Sequence, residues 1–343
     1  MTTITKLVRK NILELKPYSP AREEYPEGDA VLLDANENPF IEPYNRYPDP
    51  YQRRLKEKIA AVKNVNTTQL FAGNGSDEAI DLLIRIFCEP RRDNIVIAYP
   101  TYGMYETVAA IQDVDVRKAL LDDRFDIDTG GVLAASDGNS KLLFLCSPNN
   151  PTGNTFSADR IMQLAAKFPG IVVLDEAYTD FSVKGSLAGM IQRYPNLVVL
   201  QTFSKAWGLA GIRLGIAIAD ISVVRLMIRI KYPYNISMPT TEYALKALDN
   251  TGTVMKHISD ILLERDRLVS EFRNIAVIEK TFPTDSNFIL VKVPDAVSVY
   301  EKLKARQIIV RNRSGLPMLY NCLRITVGKP EENQKLIDSL KQM

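Results

Sequence analysis

Over the first two thirds of the chain, short apolar runs alternate with stretches whose apolar positions recur every three or four residues. The runs suit strands buried on both faces, and the periodic stretches suit helices that cover them. Leu55, Ile59 and Val62 fall at helical spacing, residues 69–72 predict a short strand, and residues 76–89 predict an apolar helix opening at the Ser76 hydroxyl. Further strands are predicted at 94–98, 141–146, 171–174, 197–201 and 212–219, with a helix at 157–168. Together they predict a mostly parallel α/β sheet covered by helices. Several of the strands end in polar clusters, and ligands of such sheets bind outside the carboxyl ends of the strands.

Past residue 236 the rhythm changes. A helix over 251–273 carries Val254, Ile258, Ile261, Leu262, Val269 and Phe272 along one face. Strands at 288–293 and 322–327 and helices at 296–306 and 331–342 complete a smaller α+β C-terminal domain. The stretch 38–51 holds Pro39, Pro43, Pro48 and Pro50 and reads as an extended connector, since each proline disfavours helix in the residue before it. The expected division is an N-terminal arm at 1–30 packing on the small domain, a large domain at 31–240 and a small one at 241–343. No internal repeat or low-complexity segment interrupts it.

At 343 residues, 46% hydrophobic and 24% charged, the chain is long enough for one large core and one small one. Its 43 Lys and Arg nearly balance 41 Asp and Glu without a long single-sign block, which argues against nucleic-acid and membrane partners and for a small ligand. The N-terminus, MTTITKLVRKNILELKPYSP, has no continuous apolar core of signal-peptide length, and no later run approaches a membrane span, so a cytoplasmic location is expected. Cys88, Cys146 and Cys322 are widely separated with no CxxC pair, and they read as free, buried thiols. The single histidine, His257, lies in a helical pattern and reads as structural or exposed; no metal site is expected.

Candidate chemistry gathers at the strand ends. The run Thr202-Phe203-Ser204-Lys205-Ala206-Trp207-Gly208-Leu209-Ala210-Gly211-Ile212-Arg213-Leu214-Gly215 sets one lysine among hydroxyls and glycines. It reads as a lysine that bonds an aldehyde, for which a desolvated site or a nearby cation must supply the neutral amine. Arg213 could clamp a phosphate there. A strand end followed by a surface lysine in a glycine-rich loop is the plainer alternative. Gly73-Asn74-Gly75-Ser76-Asp77-Glu78, between a strand and a helix, is either a phosphate cradle of free amides or an ordinary capped helix start. Pro100-Thr101-Tyr102-Gly103-Met104-Tyr105 offers Tyr102 or Tyr105 as a face for stacking, or a core tyrosine beside a turn. Ser147-Pro148-Asn149-Asn150-Pro151-Thr152-Gly153 closes another strand in residues common to any turn. Asp175-Glu176-Ala177-Tyr178 ends the apolar run Ile171-Val172-Val173-Leu174, where a buried carboxylate is costly unless it meets a cation such as a protonated pyridine nitrogen. A solvated strand-end aspartate is the alternative. The single ligand that would use all these groups is pyridoxal phosphate.

In Asn150-Pro151-Thr152-Gly153, in 175–178, and in Ser204-Lys205 with Arg213, the chain resembles the fold type I pyridoxal-phosphate-dependent aminotransferases, in order and in approximate spacing, over nearly its whole length. The resemblance implies that Lys205 bonds the cofactor aldehyde and shuttles the proton, and that Asp175 holds the pyridine nitrogen. It further implies Asn150 and Tyr178 on the ring hydroxyl and Tyr102 stacked on the ring. Gly75, Ser76, Asp77, Thr202, Ser204 and Arg213 would surround the phosphate.

Within that family the chain most resembles the members that act on histidinol phosphate, through Leu33-Asp34-Ala35-Asn36-Glu37-Asn38-Pro39, Arg46-Tyr47-Pro48-Asp49-Pro50, residues 73–78 and 204–211, and Leu323-Arg324-Ile325-Thr326-Val327-Gly328. This implies amino transfer between histidinol phosphate with 2-oxoglutarate and imidazole acetol phosphate with glutamate, in histidine biosynthesis. It also implies a homodimer in which Tyr47 reaches the cofactor phosphate of the neighbouring subunit. Arg324 would bind the anionic end of the substrate with Arg311, Tyr18 and Asn36, and a guanidinium suits phosphate and carboxylate alike. Trp207 departs from the smaller aromatic commoner after the lysine in this group. An aromatic aminotransferase, a phospho-amino-acid decarboxylase and a non-catalytic regulator on the same fold stay open. A nicotinamide-dependent dehydrogenase does not, because no GxGxxG follows the first strand.

Overall fold

The computed structural model describes residues 4–20 and 31–343. A seven-stranded sheet forms the centre of the molecule. Along the chain it takes β1 (Leu70–Asn74), β2 (Asn94–Tyr99), β3 (Asp115–Leu120), β4 (Ser140–Cys146), β5 (Ile171–Asp175), β6 (Leu197–Thr202) and β7 (Leu214–Ile218). In space the order is β1-β7-β6-β5-β4-β2-β3. Only β7 runs antiparallel to its neighbours; every other pairing is parallel.

The strands are apolar at nearly every position because both faces are buried. On β4 and β5, Leu142, Phe144, Ile171 and Val173 enter one core, while Leu143, Leu145, Val172 and Leu174 enter the other. Helices α3 (Ser76–Phe87), α4 (Met104–Ile111) and α7 (Ile221–Ile230) cover the first face; α2 (Arg53–Lys63), α5 (Thr129–Ala135), α6 (Ala158–Lys167) and α8 (Met238–Asp249) cover the second.

A third core lies beyond, in the small domain. The 22-residue helix α9 (Thr251–Phe272) reaches it with Leu268 and Phe272, which pack with α10 (Ala296–Ala305) and α11 (Pro330–Lys341) on a four-stranded antiparallel sheet. That sheet orders as β10-β11-β9-β8, with β8 at Lys280–Thr281, β9 at Phe288–Lys292, β10 at Arg311–Asn312 and β11 at Cys322–Thr326.

The N-terminal arm departs from expectation. Residues 1–3 and 21–30 of the anticipated arm lie outside the described residues, but the segment 4–14 docks on the large domain and not on the small one. Ile4, Val8 and Ile12, spaced one helical turn apart, are buried in the core that α3 and α7 share. Arg9 fixes them by pairing with Glu89 at 3.0 Å and by its main-chain N–H, which donates to Ile86 at 3.0 Å. The strand predicted at 212–219 starts late, at Leu214, because Ala210–Ile212 forms a single 3₁₀ turn and Arg213 takes a left-handed conformation with φ 56°.

Candidate active site

The carboxyl ends of β2, β4, β5 and β6 share one edge of the large sheet, and β1, parallel to them, ends there too. The reversal of β7 places its first residues, and Arg213 just before them, at that same edge. A cavity of about 390 Å³ opens there, closed on its far side by the small domain's sheet.

Gly75, Ser76, Asp77, Tyr102, Asn150, Asp175, Tyr178, Thr202, Ser204, Lys205 and Arg213 all line the cavity, joined by Arg311 and Arg324 from the small domain. Tyr18, Asn36 and Tyr47 are not among the lining residues. Tyr18 is 74% exposed, Asn36 sits at φ 56°, and Tyr47 stacks on Tyr234 at 4.4 Å.

One end of the cavity is built for an anion. Gly75 caps α3 with φ 74° and ψ 168°, a conformation that side-chain-bearing residues scarcely adopt, and offers no side-chain cap to the first-turn amides. A Cβ on Gly75 would lie 2.6 Å from Nη2 of Arg213, so only glycine lets the guanidinium close over the loop. Gly215 is equally constrained, since a Cβ there would overlap the Ser76 main chain. The Asp77 carboxylate accepts from the Tyr102 hydroxyl at 3.2 Å and from Arg213 at 3.3 Å, so what Asp77 can offer an anion is its main-chain amide. Thr202 accepts from the Ser204 N–H at 3.1 Å, which fixes the turn into Lys205.

The middle of the cavity holds a buried carboxylate. Asp175 is 2% exposed and makes no ion pair among the described residues. Its Oδ2 accepts from the Tyr105 hydroxyl at 2.7 Å and its Oδ1 from the Ala177 N–H at 3.0 Å. Burial raises its pKa to about 6, against the pull of these two donors. Lys205 is open to solvent within the cavity, yet the surrounding walls desolvate its amine. That desolvation, followed by the positive charge of Arg324, lowers its pKa. Tyr178 and Asn150 stand together, with the Asn150 amide donating to the Tyr178 hydroxyl at 3.4 Å while its carbonyl oxygen accepts from Arg324.

The opposite wall is cationic. Arg311 and Arg324 are cross-strand partners, and Arg324 lies 5.2 Å from the centre of the Phe288 ring. Arg313 also lines the cavity, a residue sequence reasoning passed over. The signal was present in Arg311-Asn312-Arg313, since alternate residues of a strand face the same way.

Trp207 is accommodated by its own contacts: its indole donates to Asp180 at 3.1 Å and its ring packs on Phe203 at 4.9 Å. His257 is exposed, and the three cysteines are free and buried.

The arrangement fits pyridoxal phosphate on four structural counts: a cradle whose turn requires glycine at position 75, a buried carboxylate with no ion pair among the described residues, a tyrosine face beside it, and a lysine of lowered pKa. Such a fold and such a site define a cofactor-dependent aminotransferase. The chain belongs to the class I and II aminotransferases, whose family model matches residues 25–340. Within that family it is similar to the histidinol-phosphate aminotransferases of Bacteroides thetaiotaomicron, at 49% identity, and Parabacteroides distasonis, at 47%, each over the whole of this chain and 99% of the relative. In fold it matches the crystal structure of histidinol-phosphate aminotransferase from Sinorhizobium meliloti in complex with pyridoxal-5'-phosphate, with a TM-score of 0.81 at 22% identity over 97% of this chain and 96% of that one.

Proposed function

We propose that the chain is a pyridoxal-phosphate-dependent transaminase that exchanges an amino group between histidinol phosphate with 2-oxoglutarate and imidazole acetol phosphate with glutamate, in histidine biosynthesis. The observation that carries the reading is Lys205 and Asp175 in one cavity, facing a wall of arginines that pair with no carboxylate among the described residues. A non-catalytic regulator would have no need of that combination.

When bound, the cofactor supplies an aldehyde for the amino group and a protonated ring that takes up the electrons of the broken Cα–H bond. The chain supplies everything else. Gly75, Ser76 and Asp77 present main-chain amides to the phosphate, with the Arg213 guanidinium and the Thr202 and Ser204 hydroxyls around it. Tyr102 would cover one face of the ring. Asp175 would hold the proton on the ring nitrogen, and Asn150 and Tyr178 would hold the ring hydroxyl. Lys205 would hold the cofactor aldehyde through its neutral amine and would carry the proton at the substrate Cα. Arg311 and Arg324 bind the anionic end of the substrate.

The active assembly is a cytoplasmic homodimer, in which Tyr47 acts in the neighbouring subunit's site. Support comes from the strap before α2, where Val31, Leu33, Phe40 and Ile41 leave apolar side chains open to solvent. Among the described residues no helix is long and apolar enough to cross a membrane. Glutamate production from histidinol phosphate and 2-oxoglutarate by the purified protein tests the assignment. Release of carbon dioxide, or a clear preference for aromatic amino acids, overturns it.

A further inference from the structure

We propose that Arg313 is a specificity-determining residue of the substrate site, and that Arg311, Arg313 and Arg324 together select a phosphate monoester over a single carboxylate. The proposal rests on the reading of function above and names what chooses between the two anions that site must accept.

The placement follows from strand geometry. Arg311 pairs directly with Arg324 across β10 and β11, so their side chains share a face. The Arg313 N–H donates to the Cys322 carbonyl at 2.9 Å, which carries the antiparallel pairing one residue past Asn312. Arg311 and Arg313 are therefore alternate residues of one extended strand and share that face too. All three reach the cavity that holds Lys205 and Asp175.

Their hydrogen-bonding capacity is largely unspent. Nε of Arg313 and Nε of Arg324 are buried without an acceptor. Among the described residues none of the three arginines pairs with a carboxylate, and the fixed acceptor for Arg324 is the Asn150 carbonyl. Arg324 and Arg311 depress the pKa of Arg313 after desolvation does, as like charges crowded in a partly dry wall must. Buried donors and three adjacent positive charges call for an anion with several oxygens.

The two substrates differ in what they can offer. Glutamate has two carboxylates set apart along its chain, and each has one charge and two oxygens, which two guanidinium forks exhaust. A phosphate monoester has nearly two charges and three terminal oxygens, so it engages a third fork. Arg313 is thus engaged by histidinol phosphate and idle with glutamate.

The test compares Arg313→Gln and Arg313→Lys with the unaltered holoenzyme, after thermal melts establish that each variant is folded. In Arg313→Gln, KM for histidinol phosphate should rise about 10- to 100-fold, with kcat and the KM for glutamate within about twofold. Calorimetric titration of the holoenzyme with inorganic phosphate should weaken by a similar factor. Arg313→Lys should recover only part of the loss, because the charge returns without the fork. An equal rise in both KM values, or an unchanged KM for histidinol phosphate, overturns the proposal. If the unaltered enzyme does not transaminate histidinol phosphate, the reading of function fails. Loss of phosphate binding in Arg313→Gln would then still support Arg313 as part of a phosphate-selective site.

Discussion

The hydroxyl of Tyr105 donates to the Asp175 carboxylate at 2.7 Å, from a side chain that is fully buried and stacked on Phe144 at 4.7 Å. The tyrosine does not itself line the cavity, yet it fixes the orientation and the charge of the group expected to hold the ring nitrogen. Hydrogen bonds to the ionised form lower a carboxyl pKa, so Tyr105 opposes the upward pull of burial on Asp175. In Tyr105→Phe the pKa of Asp175 should rise above its present value of about 6. Cofactor affinity at neutral pH should then fall by about 10- to 100-fold, the worth of one bond to a charged group. Absorbance titrations across pH 6–8 read both effects, and an unchanged affinity with an unchanged pH midpoint would count against this role.

Asp175 also sets a pH dependence of stability in the cofactor-free protein. Its folded pKa of about 6 lies above its ordinary value of 3.8, so the folded state binds the extra proton. Stability from this group is full below pH 4 and is lost as pH rises through 6, by something on the order of 2–3 kcal/mol. Asp175→Asn removes the dependence. Urea melts at pH 4.5 and pH 7 should therefore find the variant gaining on the unaltered protein as pH rises. A constant difference between the two would refute the assignment.

Gly75→Ala should damage the phosphate end twice over. The backbone conformation costs an alanine roughly 1–3 kcal/mol, and its Cβ would push Arg213 out of place. The expected outcome is a lower melting temperature together with cofactor affinity reduced at least about tenfold, measured by equilibrium dialysis. Retained affinity would mean that Arg213 does not close over the cradle.

Lys205→Ala should lose activity by at least about 10²- to 10⁴-fold and lose the borohydride-fixed attachment of the cofactor, detected by mass spectrometry. Tyr47→Ala, altered at the residue stacked on Tyr234, should also be impaired. Mixing the two impaired variants under conditions that exchange subunits should restore activity above that of either alone if sites are shared across a dimer, since some hybrid sites combine an intact Lys205 with an intact Tyr47. No recovery in verified hybrids would place Tyr47 outside the neighbour's site.

The strands and helices legible in the sequence are those with strong internal periodicity. Residues 94–98, 171–174 and 197–201 were readable because burial on both faces keeps their interior positions apolar, with Asn94 and Gln201 only at the ends. The edge strand β3, with exposed Asp115, Lys118 and Leu120, was not, for an edge needs no apolar run. Ile4, Val8 and Ile12 have an amphipathic spacing, but spacing alone does not say which core receives them. Asp175 and Lys205 stood out because a carboxylate ends an apolar strand and a lysine sits among glycines. The bond from Tyr105 joins residues on α4 and β5 that lie 70 positions apart, and nothing local records it.

The cavity has two owners. Its cofactor end is anchored in the large sheet, whose strands are buried from both sides; its arginine wall hangs on a small sheet with a separate core, and the Arg324–Asn150 bond ties the one to the other. Substitutions on β10 and β11 can therefore change which anion is accepted while the machinery for bond breaking stays intact. In an ancestral lineage such a division lets new substrates be tried by exchanging a few side chains, without the descendants ever losing the chemistry.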